Sequence, residues 1–288
     1  MTARVPTLIV HGGAGADPAE GKEEIRAGIR EAVAAGWRIL KEGRTALDAV
    51  EAAVRVLEAH PRFNAGRGAV LNSAGTIELD ASIMEGDRLS SGAVGAVRGV
   101  AHPVTLARRI LEDGRHVLLV ADGALAFARQ VGLPECDPAE LITERQLWRW
   151  RSSLSGTVGA VALDRHGTIA AATSTGGLAG KPPGRVGDSA LIGAGTYAES
   201  SLGGVSCTGS GEAIIRVTLA RRAVEILKAP DGPGQASLVA VDVLTEEGRG
   251  DGGLILLDWR GRMGWAHSTP FMPVGWIAPC CAGPALPF

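Results

Sequence analysis

The sequence predicts an α+β fold, two mainly antiparallel sheets covered by helices. Three observations carry this. Strand-like and helical patterns come in groups, in the order strand, helices, strands, helices, connector, strands, helices, strands, and do not alternate as a doubly wound fold requires. Glycine is abundant, 41 of 288 residues, with no collagen period, and it punctuates apolar runs as tight turns do. Hydrophobic residues make up 45% and charged residues 21%, which excludes a disordered chain and supplies a sizeable core.

Each element has its own signal. The apolar run 7–10 reads as a buried strand ending in the glycine turn 11–15. Within 18–42, Ile25, Ile29, Val33, Trp37 and Leu40 recur at helical spacing. Thr45 caps a second helix over 46–59, with Ala49, Val50, Ala53, Val54 and Leu57 facing inward. A loop at 61–68 precedes glycine-punctuated strands at 69–71, 77–84 and 93–97. Pro103 opens a third helix through Leu106, Ile110 and Leu111, then 116–120 reads as strand and 123–130 as helix. The stretch 134–155 is polar and carries Trp148, Arg149, Trp150 and Arg151; it reads as an exposed connector, partly helical. After it, 157–163 and 168–173 flank a turn at 164–167, a hairpin. Shorter strands follow at 190–195 and 204–207, then an amphipathic helix over 211–227 and another over 235–246. A closing hairpin joins 254–257 to 262–267 around Trp259, Arg260 and Gly261.

Several function classes are excluded by simple arithmetic. A net charge of −2 leaves no basic field for nucleic acid and no polybasic run for a membrane surface. No apolar run approaches the ~20 residues of a membrane span, and 1–10 lacks the apolar length of a signal peptide. Cys136, Cys207, Cys280 and Cys281 form no CxxC pair, and the neighbouring Cys280 and Cys281 read as free thiols, so a reduced, cytoplasmic protein is expected. The six histidines, at 11, 60, 102, 116, 166 and 267, show no ligand grouping, so no catalytic metal is expected. The run 15–22 resembles a phosphate loop but has one residue too many before Gly21 and Lys22, with Glu23 where Ser or Thr must bind magnesium. Two serine segments, 187–191 and 204–208, lack the final glycine of a nucleophile elbow, which weakens a serine-hydrolase reading of the 11–15 loop.

The informative segment is 156–211. Thr157 begins a strand directly after the connector. A threonine hydroxyl is a poor nucleophile without a base. If the chain is cut between Gly156 and Thr157, the new α-amine, with a pKa of about 7.7–8.0, can take that proton. Thr175, at the end of the second hairpin strand, falls beside Thr157. Arg185 and Asp188, three apart in a glycine turn, form either an ordinary ion pair or a clamp for the carboxylate and ammonium of a zwitterion. Thr208, Gly209 and Gly211 lead from a strand into a helix, where hydroxyl and N–H groups can form an oxyanion hole.

Together these blocks resemble the plant-type asparaginase/isoaspartyl aminopeptidase family of N-terminal nucleophile hydrolases. The matching blocks are 11–15, 63–68, 78–84, 156–162, 173–177, 183–189, 193–195, 207–212 and 252–253, in family order and across nearly the whole chain. Only the connector and the tail 280–288 depart from the family pattern, as does Ser155, two residues before the cut, where the family commonly has His.

The resemblance implies a single four-layer αββα sandwich over 1–288, self-cleaved into 1–156 and 157–288. It makes Thr157 the nucleophile, with Thr175 orienting it and assisting the cut. Arg185 would hold the substrate α-carboxylate and Asp188 the α-amine, the Gly209 and Gly211 backbones completing the pocket. Thr208 and Gly209 would stabilise the oxyanion, and Asn64 would line the site from the N-terminal half. The implied reaction hydrolyses the side-chain amide of L-asparagine or a β-aspartyl dipeptide, without a catalytic cofactor. Backbone carbonyls near 57–67 would hold a structural sodium, and two αβ units would form a homodimer. The rival readings are glycosylasparaginase in the same fold and a non-catalytic, glycine-rich binding protein.

Overall fold

The computed structural model describes residues 4–149, 156–229 and 231–288. In chain order the elements are β1 (Thr7–His11), α1 (Lys22–Lys41), α2 (Ala46–Ala59), β2 (Leu79–Glu85), β3 (Ser90–Val97), α3 (Pro103–Asp113), β4 (Leu118–Val120), α4 (Ala121–Gln130), α5 (Glu144–Arg149), β5 (Val158–Leu163) and β6 (Ile169–Thr175). Then come β7 (Thr196–Glu199), β8 (Gly203–Gly209), α6 (Gly211–Val217), α7 (Leu219–Ile226), α8 (Gly232–Asp242), β9 (Gly252–Asp258), β10 (Met263–His267) and β11 (Val274–Ile277).

One sheet has seven strands in the order β11-β1-β5-β6-β2-β3-β4, and the other has four in the order β10-β9-β8-β7. Neighbours are antiparallel except β3 and β4. Side-chain alternation builds the layers. Leu8 and Val10 of β1, with Ala160, Ala162, Ala170 and Ala172 of β5 and β6, pack under α1 and α2 against Ile29, Val50 and Leu57. The alternate residues Ile9, Val161, Leu163, Ile169 and Ala171 meet Ile255 and Leu257 of the smaller sheet. On that sheet's far side, Val205, Cys207, Leu254 and Leu256 pack under α6, α7 and α8. The result is helix, sheet, sheet, helix. The small alanines on β5 and β6 leave room for α2 to lie close. Fully buried Leu57 shows what the packing contributes: truncating such a residue to alanine costs about 2–5 kcal/mol.

The Thr45 cap forms as the sequence predicts, its hydroxyl accepting the Asp48 N–H at 3.1 Å. The 164–167 hairpin turn is also present, closed by Asp164 N–H to the Thr168 carbonyl at 3.0 Å.

Other expectations need correction. Residues 69–71 are not a strand, because Ala69 N–H bonds locally to the Gly66 carbonyl and Val70 N–H to Asn64 Oδ1. Residues 190–195 form no strand; a 3-10 turn, Asp188–Ala190, and a tight turn replace it, and β7 and β11 were not foreseen. The 211–227 helix is two helices, broken at Thr218 in the left-handed region (φ 49°). There the N–H groups of Ala220 and Arg221 leave the helix ladder for the carbonyls of Ala194 and Gly193. The connector is not simply exposed. Leu141 and Gln146 are buried, and the Leu141 carbonyl accepts the Gly68 N–H at 3.0 Å while Gln146 donates to the Gly68 carbonyl. Ser155, Trp150 and Arg151 lie outside the described residues. All four cysteines are free thiols. No helix among the described residues is long and apolar enough to cross a membrane.

Candidate active site

Thr157 sits at the head of β5, between β1 and β6, and is 6% exposed. Its hydroxyl donates to Thr175 Oγ1 at 3.2 Å. Thr175 Oγ1 in turn donates to the Gly156 carbonyl at 2.9 Å and accepts the Gly177 N–H at 2.9 Å. Asn64 reaches in from the loop after α2. Its Nδ2 donates to the Gly156 carbonyl at 2.6 Å and to the Gly177 carbonyl at 2.7 Å, while its Oδ1 accepts the Val70 N–H at 2.8 Å. The carbonyl before Thr157 therefore receives two side-chain hydrogen bonds. Such a pair polarises a carbonyl and would stabilise negative charge on its oxygen.

The glycine loop after β1 forms the other wall. Gly13 has φ +106°, and a Cβ there would lie 2.8 Å from the Thr157 nitrogen, so only glycine lets the loop come this close. Next to it, the Ala14 N–H donates to Thr208 Oγ1 at 3.0 Å, which leaves the Thr208 proton free to donate elsewhere.

Arg185 and Asp188 converge on the same end of the sheets. A Cβ on Gly177 would lie 3.2 Å from an Arg185 guanidinium nitrogen. A Cβ on Gly211 would lie 2.7 Å from the other guanidinium nitrogen and 2.9 Å from Asp188 Oδ1. Arg185 is engaged by Glu212 at 2.8 Å, a carboxylate that is 59% exposed. Asp188 is buried, and its Oδ2 has no hydrogen-bond partner. Burial pushes the Asp188 pKa up to about 7, and the Arg185 charge opposes that rise only in part. A buried, unpartnered carboxyl beside a guanidinium is what a zwitterionic ligand would complete.

Sequence reasoning singled out all of Asn64, Gly156, Thr157, Thr175, Arg185, Asp188, Thr208, Gly209 and Gly211, and the fold brings them to one end of the sheets. It assigned nothing to Glu78, Asp80 and Lys181, which hold the 183–188 loop. Glu78 Oε2 accepts the Gly184 N–H at 2.9 Å, and Asp80 Oδ2 the Gly187 N–H at 2.9 Å. Lys181 Nζ, almost wholly buried, donates to the Glu78 carbonyl at 3.0 Å. The signal was present in the alternation of Glu78 and Asp80 along an otherwise apolar strand. A cavity of about 660 Å³ opens on the other flank, against Gly13, Asn64 and Gly156; it does not reach Arg185 or Asp188.

Among the described residues no group of three or more His, Cys, Asp or Glu is placed to hold a metal. The 57–67 loop offers a different donor set. A Cβ on Gly68 would lie 2.5 Å from the Pro61 carbonyl oxygen and 2.9 Å from that of Phe63, so two carbonyls converge on one small space. Neutral oxygen donors of this kind suit a hard cation.

The chain matches the family described as Asparaginase over residues 4–155 and 151–279. It is 45% identical over 287 residues to an isoaspartyl peptidase/L-asparaginase of Danio rerio, covering 95% of this chain and 92% of that one. The Mus musculus protein of the same name is 46% identical over 285 residues, covering 94% and 87%. A plant-type L-asparaginase of Pyrococcus abyssi is 43% identical over 289 residues, covering 92% and 94%. The chain belongs to this asparaginase family.

Proposed function

We propose that this protein is an amidohydrolase that cuts itself between Gly156 and Thr157. It then hydrolyses the side-chain amide of L-asparagine and the β-aspartyl (isoaspartyl) peptide bond. The observation that carries the reading is the Gly156 carbonyl, held by Asn64 and Thr175 with the Thr157 hydroxyl one hydrogen bond away.

In the first reaction Thr157 Oγ attacks the Gly156 carbonyl carbon. The negative oxygen is met by Asn64 Nδ2 and the Thr175 hydroxyl. The C–N bond breaks, the hydroxyl proton passes to the departing Thr157 nitrogen, and an ester joins Gly156 to Thr157 Oγ. Water hydrolyses that ester, leaving a Gly156 carboxylate and a free Thr157 α-amine. The products are 1–156 and 157–288, held together by the sheet in which β5 lies between β1 and β6.

In the second reaction Arg185 takes the substrate α-carboxylate and Asp188 the α-ammonium, with the Gly209 and Gly211 backbones leaving room beside them. The α-amine accepts the Thr157 proton as Oγ attacks the β-carbonyl, then delivers it to the departing ammonia or amine. Thr208 hydroxyl and Gly209 N–H stabilise the oxyanion. Water completes hydrolysis of the β-aspartyl ester. The Pro61 and Phe63 carbonyls would hold an alkali cation such as sodium, whose charge would fix the loop that carries Asn64. The reading includes a cytoplasmic setting, in keeping with four free thiols, and a homodimer of αβ units. The exposed apolar residues Leu118 and Val120 of the edge strand β4, with Val117 just before it, suit such a contact.

The test is direct. Intact mass should show two fragments split at Gly156–Thr157, and purified enzyme should release ammonia from L-asparagine and leucine from β-Asp-Leu. Thr157→Ala should stay one chain and release neither. An active Thr157→Ala enzyme, or an active parent enzyme with no new N-terminus at Thr157, overturns the proposal. Glycosylated asparagine as sole substrate would move the assignment to the sugar-cleaving rival.

A further inference from the structure

The end of α2 breaks a local rule. Glu58 stands in the last turn of the helix, where a negative charge opposes the helix dipole, and it is fully buried. Burial pushes the Glu58 pKa up, and the His102 hydrogen bond opposes that rise. A carboxyl in this place is disfavoured twice, by the dipole and by desolvation, and local rules are broken at functional or strained sites.

Its contacts tie three elements together. Glu58 Oε1 accepts the Ser174 hydroxyl at 2.7 Å and the Val104 N–H at 3.0 Å, and Oε2 lies 3.1 Å from His102 Nδ1. Ser174, itself fully buried, belongs to β6, and Val104 to the first turn of α3. Oε1 can accept both donors whether the carboxyl is ionised or protonated. The backbone of Glu58 makes a further tie, its carbonyl accepting the Arg67 N–H at 2.7 Å. Gly66, with φ 48°, lets the chain fold back this closely, since a Cβ there would lie 2.5 Å from that carbonyl oxygen. One residue therefore closes the base of the loop after α2 and fastens it to β6.

Both attachments lead to the Gly156 carbonyl. Asn64 lies within that loop, and Thr175 follows Ser174 on β6, on the opposite face of the strand. The two donors, Asn64 Nδ2 at 2.6 Å and Thr175 Oγ1 at 2.9 Å, thus come from separate elements that must be held in register. The Asn64 carbonyl, accepting the Gly176 N–H at 2.9 Å, gives one tie between them, and Glu58 with Ser174 gives a second. Two ties fix an orientation where one leaves a pivot. We propose that Glu58 is a positioning residue for self-cleavage: through Ser174 and the loop it closes, it holds Asn64 and Thr175 in register so that both donate to the Gly156 carbonyl. The proposal rests on the cut between Gly156 and Thr157, and deepens that reading.

The experiment follows the cutting rate of freshly translated full chain on gels, for the parent, Ser174→Ala, Glu58→Gln and Glu58→Met, and for Ser174→Ala combined with Asn64→Ala. Ser174→Ala should slow cutting about tenfold, the scale of one lost hydrogen bond to a carboxyl. Glu58→Gln, whose amide oxygen can take the same two donors, should cut close to the parent rate. Glu58→Met, of similar length but without an acceptor, should be at least as slow as Ser174→Ala. With Asn64 already replaced by alanine, Ser174→Ala should slow cutting by no more than about twofold, because register matters only while both donors are present. A contact that merely stabilised the fold would lower the melting temperature and leave the two effects to multiply in full. Once cut, Ser174→Ala should keep the parent KM for L-asparagine, since Arg185 and Asp188 lie on the other flank. A parent cutting rate in Ser174→Ala, full multiplication with Asn64→Ala, or a Glu58→Gln chain as slow as Glu58→Met overturns the proposal. If Glu58→Met does not fold, the Ser174 pair of measurements still decides. A parent chain that never cuts between Gly156 and Thr157 overturns the self-cleavage reading itself, whatever the variants do.

Discussion

The two flanks of Thr157 are built differently. On the Gly156 side the side chains that hold the carbonyl are paired within the chain: Asn64 and Thr175 both donate to it, and Asn64 is itself held by Val70 and Gly177. On the Arg185 side pairing is incomplete. Asp188 keeps a buried oxygen without a partner, and Arg185 leans on a mostly exposed Glu212. On the proposed reading, the first flank is complete because its substrate is the chain's own backbone, so binding costs no further ordering. The second carries the expense of a buried, unsatisfied carboxyl that only a ligand relieves. One threonine therefore faces a site finished by folding and a site finished by binding.

That contrast can be broken from either side. The largest effects should separate cutting from turnover. Asn64→Ala removes a donor from the Gly156 carbonyl, and self-cleavage followed on gels should slow by about 10²–10³, roughly 3–4 kcal/mol of barrier. Thr208→Val should leave cutting intact and lower kcat for asparagine by a similar factor of about 10²–10³. If Thr208→Val blocks cutting, the two flanks are not independent.

Asp188 gives an intermediate effect with a sign that depends on pH. Folded Asp188 holds its proton up to about pH 7, whereas in the unfolded chain it is lost near pH 4. Keeping it buried thus costs the fold more and more between those values, and a constant amount above them. Asp188→Asn should melt higher than the parent at pH 8, with the gap closing toward pH 4. The same variant should raise KM at least about tenfold, because a charge-assisted hydrogen bond to the α-ammonium is lost. In the parent, KM should fall as pH rises through 7, when the carboxylate becomes available. A lower melting temperature for Asp188→Asn at pH 8 would show that the carboxyl is not strained.

Glu212→Gln should have the smallest effect. Its pair with Arg185 is largely exposed on the carboxylate side, so it is worth about 1 kcal/mol or less. Freeing Arg185 should lower KM no more than about fivefold. A large rise in KM would instead give Glu212 a direct part in holding substrate.

The strand after Thr157, the hairpin that pairs Thr157 with Thr175 and the Thr45 cap were legible because each is a local pattern: alternation, a turn signal, a capping hydroxyl. The break at Thr218 was not, since Leu219 to Leu227 keep helical spacing and only the carbonyls of Gly193 and Ala194 draw the backbone away. Likewise the polar 134–149 stretch looked exposed, yet Gln146 is buried by a contact with Gly68, some 78 residues distant in sequence. Glu78 and Asp80 were visible as residues but silent as to role, because the loop N–H groups they bind lie about a hundred residues further on.

By itself the sequence determined the fold class and singled out the candidate side chains, since periodicity, glycine turns and a hydroxyl after a connector are properties of neighbours along the chain. Only the tertiary structure decided what each group faces. The two donors on Gly156 and the unpaired oxygen of Asp188 are set by residues far apart in sequence meeting in a dry core. There, hydrogen bonds must be matched one for one, and no local pattern records the match.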